Sequence, residues 1–507
     1  MMMRHAPRTG SRGTTARWWR RTACVVPWLA ALSACAVGPD YVRPALDVPA
    51  TYVEDSAWAA AAPADAQLRG DWWTLFGDPA LDDLEGQVDV SNQTLVAAKA
   101  RFAQARAQAG VAQAAASPQI GAGAAADRFH TSANVVGRSL AGKTVDDFSL
   151  PLSASWEIDL WGRIGKSVEA ARADAQASAA DVESARLALH AELALDYFQL
   201  RSLDAEYGLL QRTLAGYRRA LDMTIERHRV GIASAVDLAQ AQAQLDATQA
   251  QATDLGDSRA RFQHAIATLT GRPAEQFQLP ARSAGSDDVL AQVGVVPAIP
   301  PELPSRLLER RPDVAAAERR VAAANARIGV ARAAFFPSLS LGGTAGLESS
   351  ALSQLLVAPS SFWALGPMLV APLLDGGARR SRSLQANAAF DAATADYRER
   401  ALVAFQEVED NLASLRILGE EAQEQARSIA SSEHVLALAN QRYRIGAAGY
   451  LDVVVAQSAA LASERQGVDV ARRRMLASVQ LIKALGGGWQ QGCEPKPSTT
   501  IAPGKCS

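Results

Sequence analysis

The chain repeats itself, and a repeat limits the possible folds more than composition does, because both halves must build the same kind of unit. Residues 92–120 align without a gap on residues 311–339, so that Gly110-Val111-Ala112 meets Gly329-Val330-Ala331 and Pro118 meets Pro337. Farther on, Arg227-His228-Arg229-Val230-Gly231, with Asp237 and Gln242, matches Arg442-Tyr443-Arg444-Ile445-Gly446, with Asp452 and Gln457. Between these blocks Asp159 falls opposite Asp375, with glycines following at Gly162 and Gly377. Each half is therefore expected to run helix, proline, strand, loop, strand, Asp/Gly turn, very long helix, Gly turn and returning helix. The repeats occupy residues 92–270 and 311–486. The Pro-rich stretch between them, residues 271–310, cannot be one regular element.

Phe148, Leu150, Leu152, Ala154, Trp156 and Ile158 alternate with Ser149, Pro151, Ser153, Ser155, Glu157 and Asp159, a period of two over a length that suits a tilted membrane strand. Leu339, Leu341, Gly343, Ala345 and Leu347 alternate in the same way. A fourth strand is expected over residues 362–374, although it is apolar on both parities and contains Pro367 and Pro372. Four strands cannot close around a lumen, and an open edge in lipid leaves backbone groups unsatisfied at several kcal/mol each. The chain must therefore oligomerise, and three copies would supply a twelve-stranded barrel.

From Arg163 to about Arg229 there is no proline, and Val182, Leu189, Leu193, Leu200, Leu210, Leu214 and Leu221 recur at heptad-like steps. A helix of that length is roughly 100 Å long. Its counterpart runs from Arg379 to about Tyr443, and both exceed the globular norm and read as coiled coil. The returning helices, Ala235 to Leu269 and Leu451 to Leu485, are rich in Ala and Gln, which lets neighbouring backbones approach. Helices packed side by side in a wall suit this composition better than one bulky core.

The amino-terminal end carries Arg4, Arg8, Arg12, Arg17, Arg20 and Arg21 without an acidic residue, then an apolar run from Cys24 to Leu32. That is the layout of an export signal, placed at residues 1–34, and the run is too short to span a bilayer. Leu32-Ser33-Ala34-Cys35 resembles the lipobox of bacterial lipoproteins. The resemblance implies that Cys35 is acylated and becomes the first mature residue. Ala36, in place of the Asp that retains such proteins at the inner membrane, implies delivery to the outer membrane. Two further cysteines, Cys493 and Cys506, lie in the tail of residues 487–507. The periplasm permits a bridge between them, and two free thiols are the open alternative. Losing the six signal arginines leaves 45 basic residues against 53 acidic, a net −8, which argues against nucleic acid.

Cys35-Ala-Val-Gly-Pro-Asp-Tyr-Val-Arg-Pro44, Trp156-Glu-Ile-Asp-Leu-Trp-Gly-Arg163, Arg310-Arg-Pro-Asp-Val314, Phe336-Pro-Ser-Leu339 and Leu485-Gly-Gly-Gly-Trp489 follow one another in an order that resembles the TolC-like outer membrane efflux family, and within it the lipoprotein branch often called the NodT group. The resemblance spans essentially the whole mature chain. It implies a mainly α fold with membrane β: a homotrimer whose twelve-stranded outer-membrane β-barrel takes four strands from each protomer and continues as a long periplasmic α-helical barrel. Residues 35–91, a lipidated extended segment, and residues 271–310 would contribute to an equatorial collar. The implied function is the exit duct of a tripartite efflux pump, passively conducting drugs or other solutes. Its implied partners are an inner-membrane RND-type pump, a periplasmic adaptor docking at the helical tips, and outer-membrane lipid, with no cofactor beyond the lipid on Cys35.

The tips carry the candidate functional residues. Each long helix ends at Gly231 or Gly446, where a left-handed C-cap fits, and these turns are the expected adaptor-docking points. Ser234 with Asp237 forms a capping pattern, and Gly449 with Asp452 places an acid at the same third position. The plain reading is that both aspartates cap helices. In a trimer six such turns converge, and there Tyr450 and Leu451 would plug the bore while Asp237, Asp452, Arg227 and Arg442 form the pairs that hold it shut. The family often has a further acid three residues after the position of Asp452; here Val455 stands there, which favours an apolar constriction.

Nothing in the sequence points to catalysis or to a metal. Gly137-Arg-Ser-Leu-Ala-Gly142-Lys143-Thr144 fits the phosphate-loop pattern letter for letter, but that motif works only between a strand and a helix, and residues 145–159 alternate as a strand. The six histidines lack metal-ligand spacing and read mostly as solvated, as do the acids scattered among arginines at helical steps. Arg310-Arg311-Pro312-Asp313 reads as a helix start. Two rival functions remain: an envelope lipoprotein whose coiled coils merely bridge, which does not require the strand pairs, and a phosphate-loop enzyme, which requires a helix after Thr144.

Overall fold

The computed structural model describes residues 37–46, 70–134, 139–281, 293–297 and 311–487. Cys35, the segment before it, Cys493 and Cys506 lie outside the described residues. In chain order the elements are α1 (Pro79–Ser91), α2 (Gln93–Ala114), β1 (Gln119–Ala122), β2 (Ala125–His130), β3 (Thr144–Ile158), α3 (Arg163–Arg229), α4 (Ala235–Leu269), α5 (Pro312–Ala333), β4 (Ser338–Ser349), β5 (Ser361–Val370), α6 (Ala378–Arg444) and α7 (Tyr450–Ala484). A short 3-10 turn, Trp72–Phe76, precedes them. The duplication is literal in length: α3 and α6 each have 67 residues, and α4 and α7 each have 35.

The described residues fall into two compact units. The first comprises those within 37–43, 104–175 and 319–394 and holds the sheet. Its strands are all antiparallel, in the order β1-β3-β4-β5, with β2 also on β3. The first strand of the expected four is split into β1 and β2, which share one register on β3, from Gln119↔Ser155 to His130↔Thr144. The break falls opposite Pro151. Gly123 N–H donates to the Pro151 carbonyl at 2.9 Å, but proline has no N–H to return the bond. The last strand ends at Val370, short of the expected residue 374, and Pro372 lies just beyond it, where it would have no ladder donor. Thr144 opens β3, so a strand follows the phosphate-loop lookalike and the helix that a nucleotide site needs is not there.

Asp/Gly turns lead from the sheet into the long helices. Asp159 Oδ2 accepts from Gly165 N at 2.7 Å, and Asp375 accepts from Gly377 N and Arg379 N, each at 3.1 Å. Each acid thus satisfies amides that a helix start leaves without partners.

The second unit comprises the described residues within 44–103, 176–318 and 395–487. Its core is built from alanine and leucine on α3 and α6 together with the returning helices, among them Leu193, Leu200, Leu210, Leu214, Ala404, Val408, Leu412 and Leu481. The repeats keep one tie with different chemistry. At the start of α2, Asn92 accepts from Leu95 N at 3.0 Å and donates Nδ2 to the Leu269 carbonyl at 2.8 Å. At the start of α5 the corresponding residue, Arg311, donates to the corresponding carbonyl, Ala484, at 3.3 Å, grips Asp313 with two nitrogens at 3.0 and 2.8 Å, and reaches Glu407. Pro312 at the first helical position and Asp313 beside it confirm the helix start.

Buried titratable side chains are more frequent than surface spacing leads one to expect. His190 is buried, its ring stacked on Trp73 at 4.4 Å and its Nδ1 2.6 Å from Glu85 Oε2. Burial pushes the Glu85 carboxyl well above the usual carboxylate range and the His190 imidazole below its ordinary value, since water no longer stabilises either charge. Asp204 is buried between Arg201, at 3.1 Å, and Arg259, at 2.7 Å. Those two arginines go on to the carbonyls of Pro280 and Leu279 and so hold the start of the linker. The reading of histidines and acids as mostly solvated is corrected at these positions.

Candidate functional site

Two regions carry the chemistry, the sheet and the helical tips. Strand parity and the antiparallel register put Leu150, Leu152 and Trp156 on the same face as Leu339, Leu341 and Leu347 and as Trp363, Leu365 and Leu369. Among the described residues much of that face is exposed, with Trp363 at 79% and Leu369 at 65% exposure, while Leu339, Leu341 and Leu347 are half-buried. The opposite face carries Ser149, Ser153, Ser155, Glu157, Ser340 and Thr344, with glycines between them, while β5 stays apolar there too at Phe362, Met368 and Val370. Near its end Glu157 receives Arg163 through two bonds, at 2.9 and 2.6 Å. Among the described residues both sheet edges, β1 with β2 and β5, have no strand partner. One apolar and one small or polar face is the pattern that the strands of a membrane barrel show between lipid and a wet lumen. Among the described residues no helix is long and apolar enough to cross a membrane, and no group of three His, Cys, Asp or Glu side chains is placed to hold a metal.

At the tips the two repeats make the same turn. Gly231 and Gly446 have φ of 79° and 77°. Ile232 N returns to the Arg227 carbonyl and Ala447 N to the Arg442 carbonyl, both at 2.8 Å, while each glycine N–H bonds three residues back. These are Schellman caps, which need the left-handed residue that glycine supplies. Ser234 and Asp237 form the reciprocal capping box at 3.1 and 2.9 Å. Asp452 occupies the matching third position of α7, behind Gly449, which has no side chain to answer it.

The expected gate residues are separated in the fold. Tyr450 is only 2% exposed and packs with Tyr443, Val453, Leu221 and Ala241, so it belongs to the packing of the two hairpins and does not project with Leu451. Its burial pushes the phenol up to about 12. Leu451 is 56% and Val455 61% exposed. Arg227 does not pair with an aspartate: its Nη atoms donate to the carbonyls of Tyr443 and Arg444, each at 3.1 Å, and its guanidinium lies 4.5 Å from the centre of the Tyr443 ring. Among the described residues of one chain no ion pair joins Arg227 or Arg442 to Asp237 or Asp452. The expectation of a gate held by these pairs thus finds no support within a protomer, and the sequence pattern gave no hint that Arg227 caps the other repeat's helix.

Comparison with known proteins places these features. The family model described as outer membrane efflux protein matches twice, at residues 86–272 and 303–487. The toluene efflux pump outer membrane protein TtgF of Pseudomonas putida is 33% identical over 467 residues, 90% of this chain and 95% of that protein. The cation efflux system protein CusC of Escherichia coli is 31% identical over 462 residues, 91% and 97% of the two chains. The solved structure of the outer-membrane channel OprN is similar with a TM-score of 0.82 at 30% identity, covering 90% of this chain and 100% of that one.

Proposed function

This chain belongs to the outer membrane efflux protein family, and from that premise we propose that it is the passive exit duct of a tripartite efflux pump, closed into a channel as a homotrimer. The family is one of channel and transport proteins located in the outer membrane. The observation that carries the duct reading is the sheet, apolar on one face, small or polar on the other, and open at both edges. Three copies edge to edge would give twelve strands without a free edge, the apolar face toward lipid and the other toward water. The helices would continue the bore through the periplasm, where an adaptor joins the Gly231 and Gly446 turns to an RND-type pump that supplies the energy. No catalytic role and no cofactor beyond a covalent lipid is part of this reading. Detergent-extracted protein should run as a heat-sensitive trimer and conduct ions in planar bilayers. A stable monomer without conductance overturns the duct. An envelope lipoprotein that only bridges would leave the two-faced sheet without a use.

Identity does not select the cargo. Relatives at 33% and 31% identity are named for toluene and for cations, so we assign cargo choice to the pump and adaptor and not to the duct wall.

The lipid on Cys35 is part of the proposal. One acyl chain holds a protein only marginally, whereas several on one cysteine, beside a barrel, hold firmly. Mass spectrometry of the mature protein should find Cys35 as the acylated first residue. A free thiol there, or Arg17 to Arg21 retained, contradicts it.

The tip constriction is proposed to be apolar, formed by Leu451 and Val455. Leu451→Ser should raise single-channel conductance while leaving the melting temperature unchanged, because the side chain is already exposed. Asp237→Asn keeps a competent helix-start acceptor, so its stability cost should stay within about 1 kcal/mol. Unchanged conductance in Leu451→Ser removes that residue from the gate.

A further inference from the structure

Arg227 and Arg442 hold the same position in the two repeats, yet among the described residues only Arg227 reaches the other hairpin. Arg227 caps the end of α6, adding a second donor to the Tyr443 carbonyl, which also accepts from Gly446 N–H, and a donor to the Arg444 carbonyl, while its guanidinium stacks on the Tyr443 ring. Beside it Leu221 is buried against the second repeat.

Moving each residue to its repeat counterpart generates a second contact, with Arg442 over the ring of His228 and donating to the carbonyls of His228 and Arg229 at the end of α3. Within one chain this contact is unmade. Arg442 and His228 are exposed, and Val435, the counterpart of the packed Ala220, is 55% exposed. The acceptor side is ready: His228 Nδ1 donates to the Ala233 carbonyl at 2.9 Å, which fixes the ring, and the Gly231 turn has the same form as the Gly446 turn. A chain that carries one half of a contact on each hairpin can complete it with another copy, head to tail, and such contacts close into a ring when the rotation between copies closes.

We propose that Arg442 clamps the first-repeat hairpin of a neighbouring copy by donating to that copy's His228 and Arg229 carbonyls, so that six equivalent arginine caps alternate within and between chains around the tip. The inference rests on the trimer reading above.

The test is a double variant, Arg442→Cys with His228→Cys, in a background where Cys493 and Cys506 are serine, treated in detergent with a short bis-maleimide. Most of the protein should become covalent trimer on a denaturing gel. Arg227→Cys with Tyr443→Cys, whose sites meet within one chain, should stay monomeric after the same treatment. In the otherwise native chain Arg442→Ala should lower the temperature at which the oligomer dissociates, and Arg442→Lys should not restore it, because an ammonium lacks the planar fork that stacks and reaches two carbonyls. A native-mass trimer that gives no covalent product, with Arg442→Ala dissociating like the wild type, overturns the clamp and leaves the trimer standing. A native-mass monomer overturns both.

Discussion

Gly346→Val should remove the assembled, heat-sensitive oligomer from the outer membrane almost completely. Gly346 of β4 sits opposite Pro151 of β3, in a ladder that runs from Phe148↔Ser349 to Ile158↔Leu339. A Cβ at Gly346 would come within 2.4 Å of the Leu150 carbonyl oxygen and 2.9 Å of Pro151 Cα. Those atoms are backbone, so they cannot turn aside as a side chain would; relief requires β3 and β4 to part. Overpacking a core costs about 1–3 kcal/mol, and a clash with a paired strand should exceed that, because it breaks ladder bonds which lipid cannot replace. Gly342 is the control, on the same strand and face, with nothing near its missing Cβ, and Gly342→Val should assemble. The measurement is the amount of unheated oligomer in membrane fractions. Wild-type amounts of Gly346→Val oligomer would mean that β3 and β4 do not pair in this register.

Asp204→Ala should lower the stability of the helical unit by about 3–5 kcal/mol, the usual penalty for leaving a buried charge without its partner. Asp204 lies between Arg201, itself buried, and Arg259, at 3.1 and 2.7 Å. Its loss leaves the Arg201 guanidinium with the Pro280 carbonyl and the Tyr197 ring, but with no counter-charge from Asp204. Asp204→Asn should cost less, because the amide oxygen can still accept from one arginine. Thermal unfolding of the detergent-solubilised protein, followed by circular dichroism, reads the difference. A loss below about 1 kcal/mol would put this cluster with exposed ion pairs, whose worth is that small.

Much of this architecture was legible because it is written locally. The absence of proline and the heptad steps set the limits of α3 and α6 to within about a residue, and Gly231 and Gly446 marked left-handed C-caps, whose Schellman bonding the structure supplied. Period-two alternation located β3 and β4, and Pro312 with Asp313 located the start of α5. Each of these signals acts between residues a few positions apart, so the chain states them wherever they occur.

The sequence by itself therefore determined the duplication, the elements and the turns. Only the tertiary structure decided which groups meet. His190 finds Glu85 across 105 residues, and Arg227 finds the carbonyl of Tyr443 across 216. Pro151 interrupts a strand that precedes it by nearly thirty residues, visible only once Gly123 is seen to face it. Tyr450, next to Leu451 in sequence, turns inward while its neighbour stays out. Such pairings depend on the rotation and axial register at which helices and strands dock. Those are fixed by the summed packing of whole faces, and no single residue's periodicity encodes them.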